Sequence, residues 1–156
     1  MDNRPVRILV DTNVALDLLL NREPFAIDAL QLFALAEAEK VELLLSTDAI
    51  STIFYVVRKN CDSSVAREAL AKLLDYVALV ALDERAVIRG LATDFADVED
   101  ALVAAVAEKT GAAAIVTRNL SDFKSSPVRA VSPREFLAAW TAREQIASQK
   151  TSKESE

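Results

Sequence analysis

The chain has 156 residues, 52% of them hydrophobic, and carries 18 basic against 24 acidic side chains for a net charge of −6, with no histidine. A chain of this length suits one domain that buries roughly 70% of the surface its unfolded state exposes, so it needs no disulfide or structural metal, and a disordered chain is excluded. The lack of histidine also excludes Ser-His-Asp and Cys-His catalysis and histidine-ligated zinc, leaving acid–base work to carboxylates, lysine, tyrosine or metal-activated water.

Apolar periodicity divides the chain into alternating strands and helices. Val6 to Val10 reads as a buried strand, and Asn13 to Leu20 as a short helix with Thr12 or Asn13 as its cap. Pro24 suits the first turn of a second helix, which runs to about Lys40 with Phe25, Ala29, Leu32 and Ala36 along one face. Val41 to Leu45 is the second strand. Thr47 or Asp48 then caps a helix carrying Ile50, Ile53, Phe54 and Val57, and Ser63 or Ser64 opens another through Asp75. Tyr76 to Leu82 is a less regular third strand, and Asp83 caps a short helix to about Leu91. Val98 to Thr110 is a helix stopped by Gly111, the residue type that favours the left-handed turn beyond a helix end. Ala112 to Thr117 and Val128 to Val131 are the fourth and fifth strands, and Pro133 starts a last helix reaching Trp140. Strands alternating with helices predict an α/β domain, its mostly parallel five-stranded sheet covered on both faces. From about Arg143 onward the chain is polar and without period, which reads as a disordered tail, residues 143–156, after a domain of residues 1–142.

Cys61 is the single cysteine, so no internal disulfide forms and a reducing compartment is expected. Met1 to Arg7 leads straight into the first strand, which leaves no room for a signal peptide, and no apolar stretch approaches the roughly 18 to 20 residues of a membrane span. Cytoplasm is the expected location, with no membrane partner. Basic residues are scattered (Arg4 and Arg7, Arg58 and Lys59, Arg118, Lys124, Arg129) and form no stripe that would hold nucleic acid by charge alone.

Candidate chemistry lies where strands end. Asp11 closes the apolar run Ile8-Leu9-Val10 and is followed by Thr12 and Asn13; open α/β sheets place ligands at the carboxyl ends of strands. A lone aspartate there is also what a helix cap looks like. Asp17 follows at helical spacing and reads as a solvated residue on a polar face. Asp94, Asp97, Glu99 and Asp100 put four acids in seven residues, more than capping requires, and Asp97 and Asp100 share a helix face. Thr117, Arg118 and Asn119 leave the fourth strand as Asp11 leaves the first, and Asp122 follows one turn later with Phe123 as an apolar anchor. Carboxylates from three segments at one sheet edge suit a hard divalent cation, Mg2+ or Mn2+, which takes oxygen ligands and keeps several waters. Bound there, such an ion acidifies water and neutralises charge on a scissile phosphate, so phosphodiester hydrolysis needs no histidine.

Leu9-Val10-Asp11-Thr12-Asn13, Asp97-Val98-Glu99-Asp100-Ala101 and Val116-Thr117-Arg118-Asn119 with Asp122-Phe123, in this order, resemble a PIN domain, the nuclease fold shared by VapC-type toxins. The likeness spans about residues 6 to 140. It implies an α/β/α sandwich and a metal-dependent endoribonuclease, the toxin of a toxin–antitoxin pair, with RNA as substrate, frequent homodimerisation and inhibition by a small cognate antitoxin. Asp11, Asp100 and Asp122 match the family's metal-site and catalytic acids, Asp97 is a neighbouring metal candidate, and Asn13, Thr117, Arg118 and Asn119 are the expected substrate-side positions. One departure stands out. Such domains carry a glutamate in the helix after the second strand, and the register here puts Thr52 in its place. Asp48 lies one turn earlier on the same face and reads first as a helix cap. Thr52 therefore leaves open a degenerate, non-catalytic module that binds RNA or protein.

Overall fold

Alternating side chains along the three central strands decide how the layers stack. The computed structural model describes residues 4–154. In chain order it holds β1 (Val6–Val10), α1 (Thr12–Leu19), α2 (Ala26–Glu37), β2 (Val41–Ser46), α3 (Ala49–Arg58), α4 (Ser63–Leu73), β3 (Val77–Val80), α5 (Glu84–Leu91), α6 (Val98–Thr110), β4 (Ala114–Val116), a 3-10 turn (Leu120–Phe123), β5 (Ala130–Val131) and α7 (Pro133–Glu154). Ile8 and Val10 of β1, Leu43 and Leu45 of β2, and Ala114 and Val116 of β4 pack on one face with residues of α1 to α4, and Phe136 and Trp140 of α7 join them. Leu9, Leu44 and Ile115 point the other way, against Ala86 of α5 and Val103 to Ala107 of α6. Both faces are thus covered, which is why the central strands read as unbroken apolar runs. The result is the expected α/β/α sandwich.

The sheet order is β3-β2-β1-β4-β5, and all four pairings are parallel. From β1 the chain steps outward through β2 to β3, then returns to the opposite side of β1 for β4. The direction of winding therefore switches between β1 and β4, and the crevice beyond their carboxyl ends is where such sheets bind ligands. Register puts Val10 beside Val116, so Asp11 and Thr117 leave the sheet side by side.

Several boundaries differ from the sequence reading, each for a local reason. Asp11 itself caps α1, its carboxylate accepting from the Thr12 N–H, where Thr12 or Asn13 was expected. Asp62 caps α4 ahead of Ser63. The helix expected at Pro24 starts at Ala26, because the Phe25 and Ala26 N–H groups both close a turn onto the Arg22 carbonyl. Leu120 to Phe123, read as a loop, coils into a 3-10 turn. The largest difference is α7, which passes Trp140 and residue 142 without a break and continues to Glu154. Period reports a buried face, and this half of the helix has none; its helix-forming residues include no glycine or proline to stop it. A Lys40–Glu144 ion pair at 3.9 Å touches it down on the loop after α2. Residues 155 and 156 lie outside the described residues.

Two glycines matter here. Gly111 ends α6 with φ of +65° in the left-handed region. Gly90 lets α5 approach α6: a Cβ there would lie 3.0 Å from Leu102 Cδ2 and 3.2 Å from the Ala101 carbonyl oxygen. Since α6 carries Asp100, this contact also sets the height of that acid. Gly90→Val should cost about 1–3 kcal/mol through overpacking and lower the thermal midpoint by several degrees. An unchanged melting curve would refute the close α5–α6 contact.

Candidate active site

Asp11 is 6% exposed, so its carboxylate needs partners, and it has three. Oδ1 accepts from the Thr12 N–H at 2.8 Å, while Oδ2 accepts from the Thr117 hydroxyl at 2.7 Å and from Asn13 Nδ2 at 3.2 Å. Thr117 is fully buried. Its hydroxyl gives its one proton to Asp11 and accepts from the Asn119 N–H at 3.0 Å and from Asn13 Nδ2 at 3.4 Å, which uses both lone pairs. Asn13 Oδ1 in turn accepts from the Arg118 N–H at 3.4 Å. Asn13 and Thr117, expected on the substrate side, therefore grip Asp11. Asn119 stands exposed at the rim.

The other acids arrive from two directions. Asp97 caps α6, its Oδ1 accepting from the Asp100 N–H at 3.1 Å, so one of its oxygens serves the helix. Asp122 lies on the 3-10 turn, anchored by the buried Phe123, whose ring meets Phe95 edge-on at 6.1 Å. That contact ties the segment carrying Asp122 to the segment leading into α6. Burial, then the charges of Asp11, Asp97, Asp122 and Glu99, push the Asp100 carboxyl up to about 6. Glu99 is raised by burial and by Asp11, Asp97 and Asp48. Asp11 is raised chiefly by its burial, against the opposing effect of its hydrogen bonds to Thr117 and Thr12. Six acids thus share one field.

Two of these six were misread from the sequence. Asp48 occupies the cap position of α3 but makes no capping bond; it accepts from the Ser46 hydroxyl instead, and its charge reaches Glu99. Glu99, left out of the candidate site residues, belongs to the acid cluster. Thr52 is half-buried on α3. Among the described residues no three acids stand close enough to enclose an ion unaided. The site is an open basin of oxygen donors, which suits a hard cation that keeps part of its water shell.

Asp17 is the residue the sequence reading missed most clearly. It is 1% exposed rather than solvated. Its carboxylate takes both arms of the Arg118 guanidinium, at 2.6 Å from Nε and 3.0 Å from Nη2, and Arg22 stands 3.9 Å away. Arg118 also lies 4.0 Å above the centre of the Phe25 ring. The guanidinium is therefore clamped beside the basin, and its charge lowers Asp11 slightly. A bidentate, part-buried pair joins residues 101 positions apart, which no local pattern announces.

Two measurements follow from this arrangement. An acid with a higher pKa folded than unfolded favours the folded state when protonated; for Asp100 that gain appears as pH falls through about 6 and is complete below 3.8. In EDTA the thermal midpoint should therefore rise between about pH 7.5 and 5.5. Asp100→Asn should raise it at pH 7.5 and flatten the dependence, by about 1 kcal/mol once solvent screening is allowed for. An equally steep dependence in the variant would remove Asp100 from the cluster. Asp17→Asn should destabilise by about 3 kcal/mol in a denaturant titration, because Arg118 and Arg22 lose their shared counter-charge; a loss below about 0.5 kcal/mol would mean that the pair is idle.

The model of the PIN domain family matches residues 7–121. The chain is similar to Ribonuclease VapC1 of Aquifex aeolicus, 26% identical over 139 residues that cover 86% of this chain and 95% of that protein. It superposes on a toxin-antitoxin complex from Klebsiella pneumoniae with a TM-score of 0.62 at 25% identity, covering 81% of this chain and 97% of that one. It also superposes on VapC20 of Mycobacterium tuberculosis, a Sarcin-Ricin loop cleaving toxin, with a TM-score of 0.65 at 20% identity over 81% and 99% of the two chains. A family match over most of the sandwich, with an acid basin at its switch point, places this chain in the PIN domain family.

Proposed function

We propose that the chain is a metal-dependent endoribonuclease, the toxin of a toxin–antitoxin pair. One observation carries the reading: Asp11 is gripped by Thr117 and Asn13 at the switch point, in the field of Asp100 and Asp122. Unpaired acids so placed gain from a cation and lose without one. The similarity to Ribonuclease VapC1 supports RNA as the substrate, and the toxin-antitoxin complexes of the same fold support a small cognate antitoxin as the partner. Homodimerisation belongs to the same proposal.

Asp11 and Asp100 hold the cation, Mg2+ or Mn2+, directly or through water, and Asp122 holds it or orients the attacking water. Once bound, the cation supplies acidified water and neutralises the scissile phosphate. The chain's own work is positional. Thr117 and Asn13 fix the Asp11 oxygens, the Asp97 cap fixes the first turn under Asp100, and Phe123 fixes the turn bearing Asp122. Thr52 favours the alternative, a non-catalytic module, because it replaces an acid the family carries. Asp48 and Glu99 both lend charge to the basin, which favours the enzyme.

With magnesium, the protein should cleave single-stranded RNA, and EDTA should stop it. Asp11→Asn and Asp100→Asn should each slow cleavage on the order of 100-fold or more. Cleavage by both variants at the wild-type rate would overturn the assignment.

A further inference from the structure

Beside the acid basin lies a cleft of about 340 Å³ lined by Phe25, Asp28, Arg118, Ser132, Pro133 and Arg134. It opens at the same sheet edge, since Arg118 follows β4 and Ser132 follows β5. Arg118 links the two spaces directly: its N–H donates to Asn13, and Thr117 just before it holds Asp11. The walls differ sharply from the basin. Its lining holds two arginines, Arg118 and Arg134, against one aspartate, Asp28, next to six acids.

The Arg118 guanidinium is immobilised by the buried Asp17 and sits over the Phe25 ring. Packing alone would favour covering that ring, yet Phe25 remains 40% exposed. Arg134 reaches Asp28 at 3.3 Å while its side chain stays 80% exposed, so its charge is available to a ligand. A rigid aromatic backed by a guanidinium, with a second guanidinium nearby, is how proteins hold an unpaired base and its phosphate.

We propose that this cleft takes a nucleotide flanking the scissile phosphate of a single-stranded RNA, its base stacked on Phe25 and its phosphate on Arg134. The proposal rests on the ribonuclease reading for its choice of RNA, and it adds the subsite that seats the strand. Arg118 is a positioning residue: it holds Phe25 in place and is itself held by Asp17. A paired duplex cannot offer its bases to the ring, so the subsite selects single strands.

Binding of a fluorescein-labelled single-stranded oligoribonucleotide, followed by anisotropy in EDTA, tests the subsite apart from cleavage. Phe25→Ala should weaken binding about 10-fold, while Phe25→Trp should keep or strengthen it. Arg134→Gln, at an exposed position that does not threaten the fold, should lower the slope of log affinity against log salt by about 0.7. A duplex of the same sequence should bind Phe25→Ala as it binds the wild type. Single-strand binding unchanged in all three variants, or no binding by the wild type, would overturn the subsite. A wild type that binds through Phe25 yet cleaves nothing with magnesium would reject the ribonuclease reading and keep the cleft. Cleavage and binding that are both indifferent to Phe25 would do the reverse.

Discussion

The hydrogen bond from the Thr117 hydroxyl to Asp11 is the contact on which the rest of this site hangs. Strand order places the two residues side by side where the sheet reverses its winding, and burial leaves neither a solvent alternative. A carboxylate at 6% exposure would otherwise be costly to keep. Thr117 answers this with a hydroxyl whose donor and both acceptor sites are used. The same bonds draw in Asn13 and the backbone at Arg118 and Asn119, so the segment that leads to Asp122 starts from a fixed point.

From that point the site divides into two electrostatic regimes. On one side, Asp48, Asp97, Glu99, Asp100 and Asp122 share the field of Asp11, and Asp100 is pushed up to about 6. On the other, Asp17 and Arg118 form a closed, bidentate pair with Arg22 close by. The first regime is one of mutual repulsion; the second is satisfied and rigid. The boundary runs between Thr117 and Arg118, consecutive residues with opposite tasks.

Much of this was legible in the chain because burial and backbone conformation leave local traces. Val6 to Val10 and Val98 to Thr110 are found where apolar runs and Gly111 put them, and the sheet is parallel as the alternation of elements requires. Asp11, Asp97, Asp100 and Asp122 do share one field, as their positions at strand and helix ends suggested. What escaped depends on partners distant in sequence. Asp17 looked solvated because its counter-charge, Arg118, is 101 residues away. Asp48 looked like a cap because its position is a cap position, yet its carboxylate turns to Ser46. The second half of α7 looked unstructured because a helix that buries no face shows no period. A trace could have flagged Glu99: four acids in seven residues exceed what the helix dipole can use.

The central claim is that the acids around Asp11 form a binding site for a hard divalent cation. Isothermal titration of the metal-free protein with manganese tests it most directly, in the wild type and in Asp11→Asn. The account predicts micromolar binding in the wild type that is lost in the variant, although both remain folded. No binding by the wild type, or equal binding by both proteins, would contradict it.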